Sequence, residues 1–223
     1  MITDLKKQAI CFAACFTAVL LLTLSWVWAP TALIWQSVDN ATYFALNGSL
    51  TQGSNWSIFW AYMNVDMANV LAGVFMVVLL LYYVATNAKD TLPRKLTSFT
   101  LIALFVCLGI IISKSGFRDF AHPSPSLVLT PFNNLNLLTE GIDAKVSSRG
   151  SFPGDHGVTT FIYSLLVVLF IKSRAIAALA VLFALLNNLP RLFSGAHWLS
   201  DVLVGGGGIT LFLLPFAIAT PLP

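Results

Sequence analysis

Three side chains near the end of the sequence have the types and spacing of a histidine-based catalytic site. Arg191, His197 and Asp201 follow the pattern Arg-x5-His-x3-Asp. On a helix, residues four apart share a face, so Asp201 can accept a hydrogen bond from one ring nitrogen of His197 and leave the other nitrogen as a nucleophile. Arg191 can hold phosphate oxygens through two parallel hydrogen bonds. The same spacing also fits a plain helix-initiating turn with a surface ion pair.

A second polar segment, residues 148–157, reads Ser-Arg-Gly-Ser-Phe-Pro-Gly-Asp-His-Gly and leads directly into an apolar run. A helix N-terminus offers free amides and the positive end of the dipole, and glycine lets the backbone approach a ligand closely. We therefore expect a phosphate site that includes Arg149, Gly154 and Asp155, with His156 as a general acid. A Gly/Pro-rich turn alone would explain the glycines but neither the arginine nor the histidine.

All three histidines of the chain lie in two polar segments, at about residues 114–156 and 190–201, together with five cations. Histidine is the side chain best suited to exchange a proton near neutral pH, and a group of cations suits an anionic substrate. We expect these two segments to form the active-site loops. The residues concerned are His122, His156, His197, Lys114, Arg118, Lys145, Arg149 and Arg191.

The rest of the chain predicts that these loops are carried by membrane helices. Of its 223 residues, 57% are hydrophobic and 9% are charged, and the mean hydropathy is +0.84, whereas soluble domains carry about 25% charged residues. We predict an all-α, polytopic membrane protein with six transmembrane helices in a single domain, residues 1–223. The six segments that approach the required length of about 20 apolar residues are 9–29, 65–86, 96–113, 157–171, 175–189 and 198–220.

The distribution of lysine and arginine predicts the orientation of these helices. With the N-terminus in the cytoplasm, seven of the twelve Lys and Arg residues lie on the cytoplasmic side and five lie outside, as the positive-inside rule favours. Both termini are then cytoplasmic, and both polar loops are outside. The five outer cations oppose the trend, which favours anion binding as their role.

Composition argues against several other classes of protein. A net charge of +3 without a basic block does not suit nucleic-acid binding. Cys11, Cys15 and Cys107 lie in apolar runs without the spacing of a metal site or a disulfide framework. The sequence indicates no cofactor and no obligatory protein partner.

The combined motifs, Arg-x5-His-x3-Asp preceded by Pro-x-x-His before another helix, resemble the type-2 phosphatidic acid phosphatase superfamily, a six-helix membrane fold. The resemblance runs from about Lys114 to Asp201. It implies that His197 forms a phosphohistidine oriented by Asp201, that His156 acts as the acid, and that Arg191 binds phosphate. It also implies catalysis without a metal ion, which fits the absence of a carboxylate cluster from the sequence.

The chain departs from the family pattern in two motifs. The family's first motif is Lys-x6-Arg-Pro, whereas Lys114 is followed by His122 and a proline, one residue later and without the arginine. Lys114, Arg118 and His122 are therefore all candidate phosphate ligands. The family's Pro-Ser-Gly-His is Pro-Gly-Asp-His here, and Asp155 would repel phosphate unless it is protonated or paired with a cation such as Arg149.

These departures resemble a subgroup, the lipid A 1-diphosphate synthases of Gram-negative bacteria, as does the later run Pro-Arg-Leu-Phe-Ser-Gly-Ala-His-Trp. That resemblance implies transfer of a phosphoryl group from undecaprenyl diphosphate to the 1-phosphate of lipid A, at the periplasmic face of the bacterial inner membrane. The two lipids would be the partners. Two alternatives stay open: a lipid phosphatase in which water completes the reaction, and a non-enzymatic relative that binds or transports lipid.

Overall fold

The computed structural model describes residues 2–220, and all the regular elements in that range are helices, which confirms the predicted all-α class. Two segments are π-helical: Ile112–Gly116, which continues α5, and Asp201–Gly206, which leads into α10. The α-helices are α1 (Ile2–Val27), α2 (Ala29–Asn47), α3 (Asn55–Tyr62), α4 (Asp66–Thr86), α5 (Leu92–Ile111), α6 (Pro125–Val128), α7 (Leu135–Leu138), α8 (Asp155–Phe170), α9 (Arg174–Phe193) and α10 (Gly207–Ala219).

Within residues 2–220, five helical segments are long and apolar enough to cross a membrane, one fewer than predicted. The predicted segment 157–171 corresponds to α8, which is apolar but only 16 residues long. Because α8 packs against α5, α9 and α10, its neighbours shield it from lipid and its length need not match the bilayer. The five segments are Leu5–Val27, Asp66–Thr86, Leu92–Gly116, Arg174–Phe193 and Asp201–Ala219.

The apolar core is built around α8 by side chains from α4, α5, α9 and α10. Ile102, Val158 and Val167 are fully buried there. The hydroxyl of Tyr163 donates to the carbonyl of Met76 at 3.0 Å, so the polar atom of a buried aromatic ring is also satisfied. Large apolar side chains are exposed on the outer helices, as a lipid-facing surface requires.

One face of α2 braces the outer loops. Residues 36–59 are too polar to span a bilayer, and α2 carries three buried polar residues at four-residue spacing, Asp39, Tyr43 and Asn47. The hydroxyl of Tyr43 donates to the carbonyl of Pro131 at 3.2 Å, and Nδ2 of Asn47 donates to the carbonyl of Phe193 at 3.0 Å. These bonds fix α2 to the end of α9 and to the loop before α7.

The loop between α5 and α8 is closed by hydrogen bonds between its two ends. The backbone N–H and the hydroxyl of Ser151 both donate to the carbonyl of His122 at 2.8 Å. The N–H of Ser124 donates to the carbonyl of Ser148 at 2.9 Å, and the N–H of Ser148 donates to the hydroxyl of Ser124 at 2.9 Å. The first predicted motif is thereby held beside the second.

A small apolar cluster under the outer loops supports the last turn of α9. The rings of Trp60 and Phe193 are stacked, with centroids 4.0 Å apart and planes at 14°. Leu50, Leu135 and Ala144 complete the buried cluster. Because Phe193 ends α9, this packing fixes the position of the preceding polar turn.

Candidate active site

A tight turn after α9 returns the chain so that His197 lies beside the last turn of that helix. The N–H groups of Ala196 and His197 donate to the carbonyl of Arg191 at 3.0 and 3.3 Å. Gly195 makes the turn possible, because its φ of 72° lies in the left-handed region. A Cβ added there would also lie 2.9 Å from the ring of Tyr43. The turn therefore fixes the spacing of the arginine and the histidine.

His197 faces the buried carboxylate of Asp201 with one nitrogen and leaves the other unpartnered. Nδ1 of His197 lies 3.4 Å from Oδ2 of Asp201, an ion-pair contact longer than an ideal hydrogen bond. The N–H of Trp198 donates to the same oxygen at 2.8 Å and holds the carboxylate in place. Nε2 of His197 has no hydrogen-bond partner among the described residues, and Oδ1 of Asp155 lies 3.9 Å from it. This nitrogen is available as a nucleophile.

His156, in the first turn of α8, lies between two acceptors. Its Nδ1 is 2.8 Å from Oδ1 of Asp155, and its Nε2 is 2.8 Å from Oδ1 of Asn69. Arg191 donates to the same oxygen of Asn69 at 3.1 Å, which establishes that oxygen as an acceptor. When the ring is protonated, both of its nitrogens can donate to these acceptors, and it can then serve as a general acid. Burial lowers the pKa of His156 below its ordinary value, while the hydrogen bond to Asp155 acts in the opposite direction.

Arg191 is buried, 3% exposed, and is held by residues at the start of α4. One of its terminal nitrogens donates to Oδ1 of Asn64 at 2.9 Å, and the other contacts Asn69 as described above. Asn64 in turn donates to the carbonyl of Pro190. Within residues 2–220 no carboxylate forms an ion pair with Arg191, so its positive charge is available to a phosphate group.

The start of α8 packs closely against the π-helical segment that contains Asp201. The N–H of Gly154 donates to the carbonyl of Asp201 at 3.1 Å. A Cβ added at Gly206 would lie 2.8 Å from the carbonyl carbon of Gly157. A larger residue at position 206 would therefore push the two segments apart. These contacts set the distance between the two histidine-bearing segments. The bond from Gly154 also occupies the N–H that the sequence predicts to bind phosphate.

The predicted phosphate-binding cations lie at different distances from this centre. Lys114 lines a cavity of about 240 Å³ together with Asp155 and His156. Arg118 and Arg149 are exposed, and neither makes a hydrogen bond or an ion pair within the part of the chain that the structure describes. Lys114 is thus the cation of this group that shares a cavity with His156.

His122, the third histidine, contacts the other oxygen of Asp201. Its Nε2 lies 3.3 Å from Oδ1 of Asp201, whereas His197 faces Oδ2. One fully buried carboxylate therefore contacts two histidines from different loops. This places His122 beside the carboxylate that also contacts His197.

Sequence reasoning did not assign Asn64 and Asn69 to the site, although they contact Arg191 and His156. Their signal in the sequence is a pair of amide side chains, with Asp66 between them, at the outer end of an otherwise apolar helix. Polar groups at such positions usually indicate function or pairing. Their partners, His156 and Arg191, lie in α8 and α9, and no local sequence pattern predicts these contacts.

Asp39 was also missed. It is buried, and its carboxylate accepts the N–H of Ser200 at 2.8 Å and the hydroxyl of Ser200 at 2.6 Å. Burial raises the pKa of Asp39 above its ordinary value because desolvation disfavours the charged form, while the two bonds from Ser200 act in the opposite direction. The available signal was its isolation, since Asp39 is the only charged residue between Lys7 and Asp66 in the sequence.

Comparison with known proteins agrees with this geometry. The family model described as the PAP2 superfamily matches residues 120–219. The chain is 28% identical over 207 residues to the lipid A 1-diphosphate synthase of Escherichia coli strain K12, which covers 91% of this chain and 84% of that protein. The crystal structure of Aquifex aeolicus LpxE has a similar fold, with a TM-score of 0.51 and 19% identity over 80% of this chain and 94% of that one. These matches confirm the resemblance to the PAP2 superfamily that was seen in the motifs.

Proposed function

We propose that this protein transfers a phosphoryl group from undecaprenyl diphosphate to the 1-phosphate of lipid A, by way of a phosphohistidine on His197. The observation that carries the proposal is the state of the His197 ring. Nδ1 faces Asp201, while the buried Nε2 has no hydrogen-bond partner among residues 2–220 and lies near His156 and the buried Arg191. The 28% identity to a lipid A 1-diphosphate synthase supports the choice of lipids.

In the first half-reaction, the lone pair on Nε2 of His197 attacks the terminal phosphorus of the donor. An N–P bond forms as the bridging P–O bond breaks, and the electron pair of that bond stays on the leaving undecaprenyl phosphate. His156 gives its proton to the leaving oxygen. Asp201 stabilises the positive charge that develops on the His197 ring, because its carboxylate lies against Nδ1.

Two cations counter the charge of the transferred group. Arg191 is already oriented by Asn64 and Asn69, so little side-chain freedom is lost when it binds phosphate oxygens. Lys114 enters from the wall of the 240 Å³ cavity. The carboxylate of Asp155 does not contact phosphate in this scheme, because it is paired with His156 at 2.8 Å.

In the second half-reaction, an oxygen of the lipid A 1-phosphate attacks the phosphorus. The N–P bond breaks, and its electron pair returns to Nε2 of His197. A phosphate acceptor is already ionised at neutral pH, so this step requires no general base, whereas attack by water does. His156, left neutral by the first half-reaction, then regains its proton from solvent.

We assign the active site to the periplasmic face of the inner membrane and both termini to the cytoplasm. The cations at the other ends of α4, α5, α8 and α9 support this orientation, since Lys89, Lys172 and Arg174 line one polar cavity there. The whole chain is then one domain, with active-site loops at about 114–156 and 190–201.

The transfer is tested with purified protein and undecaprenyl diphosphate labelled on its terminal phosphate, in the presence and absence of lipid A. Label should appear on lipid A when lipid A is present. His197→Ala should lose this transfer, whereas Glu140→Ala, an exposed change in the outer loop, should retain it. Release of free phosphate alone in both conditions would identify a phosphatase, and full turnover by His197→Ala would exclude the phosphohistidine.

A further inference from the structure

A second cavity, of about 500 Å³, lies between α1, α2 and the outer loops. It shares no lining residue with the catalytic cavity described above. The proposed phosphoryl transfer gives it no role. Its polar and aromatic walls are formed by Trp26, Trp35, Gln36, Asp39, His122 and Trp198.

The charge of this cavity favours a cation. Asp39 is 7% exposed, and no lysine or arginine in the described part of the chain pairs with it. Its hydrogen bonds come from the neutral groups of Ser200. Asp201 acts on it as a second negative charge, and His122 is the one basic group on the cavity wall. A bound cation would offset the cost of burying this carboxylate.

The tryptophan rings add a second preference for a cation. The indole N–H of Trp35 donates to the hydroxyl of Ser25 at 3.1 Å, and that of Trp198 donates to the carbonyl of Pro123 at 2.9 Å. Both rings are therefore held in place before any ligand binds. The face of an indole attracts an ammonium group, and both rings line the cavity that contains Asp39.

An apolar cavity of about 380 Å³ adjoins this site and shares Trp26 with it. Its walls come from α1, α10 and three phenylalanines of the outer loop, Phe117, Phe120 and Phe152. Trp26 stacks on Phe152, with centroids 4.6 Å apart and planes at 11°. An acidic, aromatic cavity thus lies next to an apolar one, an arrangement that suits a ligand with a cationic head and a hydrocarbon chain.

We propose that these two cavities bind a zwitterionic phospholipid, with its primary ammonium group between Asp39 and the tryptophan rings and one hydrocarbon chain in the apolar cavity. The lipid is neither donor nor acceptor in the proposed reaction, and its binding does not depend on that reaction. His122 lines the ammonium site and contacts Asp201 at 3.3 Å. A lipid bound here would therefore lie close to Asp201, the carboxylate proposed to orient His197.

The test measures lipid binding rather than turnover. The full chain, purified in detergent, is titrated with phosphatidylethanolamine or with phosphatidylglycerol, and retained lipid is counted by native mass spectrometry. The wild type should bind phosphatidylethanolamine more tightly. Asp39→Asn should weaken that binding about tenfold, because a charge-assisted contact is lost. Asp143→Asn removes an exposed carboxylate and should have no effect.

A second pair of variants covers the case in which Asp39→Asn does not fold. Trp35→Leu should weaken phosphatidylethanolamine binding about three- to tenfold, because one aromatic face is lost. Trp28→Leu changes a tryptophan that is 63% exposed and lies outside the cavity, and it should bind like the wild type. Equal affinity for the two lipids in the wild type, or unchanged binding in Trp35→Leu, would overturn the proposal, whatever the outcome of the transfer assay.

Discussion

Asp155 and His156 form a hydrogen-bonded pair, with 2.8 Å between Oδ1 and Nδ1. The same carboxylate oxygen lies 3.9 Å from Nε2 of His197, so Asp155 contacts one histidine and stands close to the other. A free carboxylate at this position would repel phosphate, but its hydrogen bond to His156 offsets that charge when the ring is protonated. Asp155, which departs from the family pattern, is therefore hydrogen-bonded to His156, the proposed general acid.

Replacing Asp155 with asparagine should lower kcat without raising KM. Asparagine keeps the shape and an acceptor oxygen but loses the charge-assisted bond to His156, which is worth about 1.5–3 kcal/mol, or about a 10- to 100-fold decrease in rate. Steady-state transfer of labelled phosphate measures both constants. Asp143→Asn is the matched control, since Asp143 is exposed. A wild-type kcat in Asp155→Asn would contradict the pairing.

Replacing Asn69 with alanine should affect phosphate binding and acid catalysis together. Oδ1 of Asn69 contacts Arg191 at 3.1 Å and His156 at 2.8 Å, so one deletion frees both side chains. We expect kcat/KM to fall about tenfold or more, because each lost bond involves a charged group. Asn55→Ala, at an exposed position in α3, should leave both constants unchanged. A change in KM without a change in kcat would show that Asn69 does not support catalysis by His156.

Replacing His122 with alanine separates two roles for that residue. The sequence predicts a phosphate ligand, whose loss would raise KM for the donor lipid. The structure gives a 3.3 Å contact with Asp201, so we expect kcat to fall about tenfold with little change in KM, because the carboxylate that orients His197 loses a partner. A rise in KM at constant kcat would favour the phosphate-ligand role instead.

Replacing Gly206 with alanine should destabilise the fold. The added Cβ would lie 2.8 Å from the backbone of Gly157, and such overpacking costs about 1–3 kcal/mol. Thermal unfolding in detergent should show a lower Tm. Gly208→Ala is the matched control, because nothing lies within 4 Å of its added Cβ. Equal Tm values for the two variants would mean that the two segments do not approach as closely as described.

Short-range patterns in the sequence predicted much of the fold and the centre of the candidate site. The four-residue spacing predicted that His197 and Asp201 share one helical face. His197 instead lies in the turn before the helix, yet the structure has the two side chains 3.4 Å apart. The apolar segments predicted the membrane helices because hydrophobic length is a local property. Only α8 is too short to qualify, since its neighbours enclose it.

Long-range contacts account for what the sequence did not predict. Asn69 and His156 lie in different helices, as do Asp39 and Ser200, and no spacing rule connects them. The loop hydrogen bonds that bring His122 to Asp201 join distant segments, so no local pattern predicts that contact. Gly154 has the composition of an anion-binding turn, yet its N–H donates to Asp201.

The central claim is that His197 carries the phosphoryl group between two lipids. The most direct measurement is rapid quenching of the protein with terminally labelled undecaprenyl diphosphate, before lipid A is added. We predict one protein-bound label that is stable in base and labile in acid, that maps to His197, and that moves to lipid A on its addition. Protein that remains unlabelled while the donor is consumed, or label that persists in His197→Ala, would contradict the account.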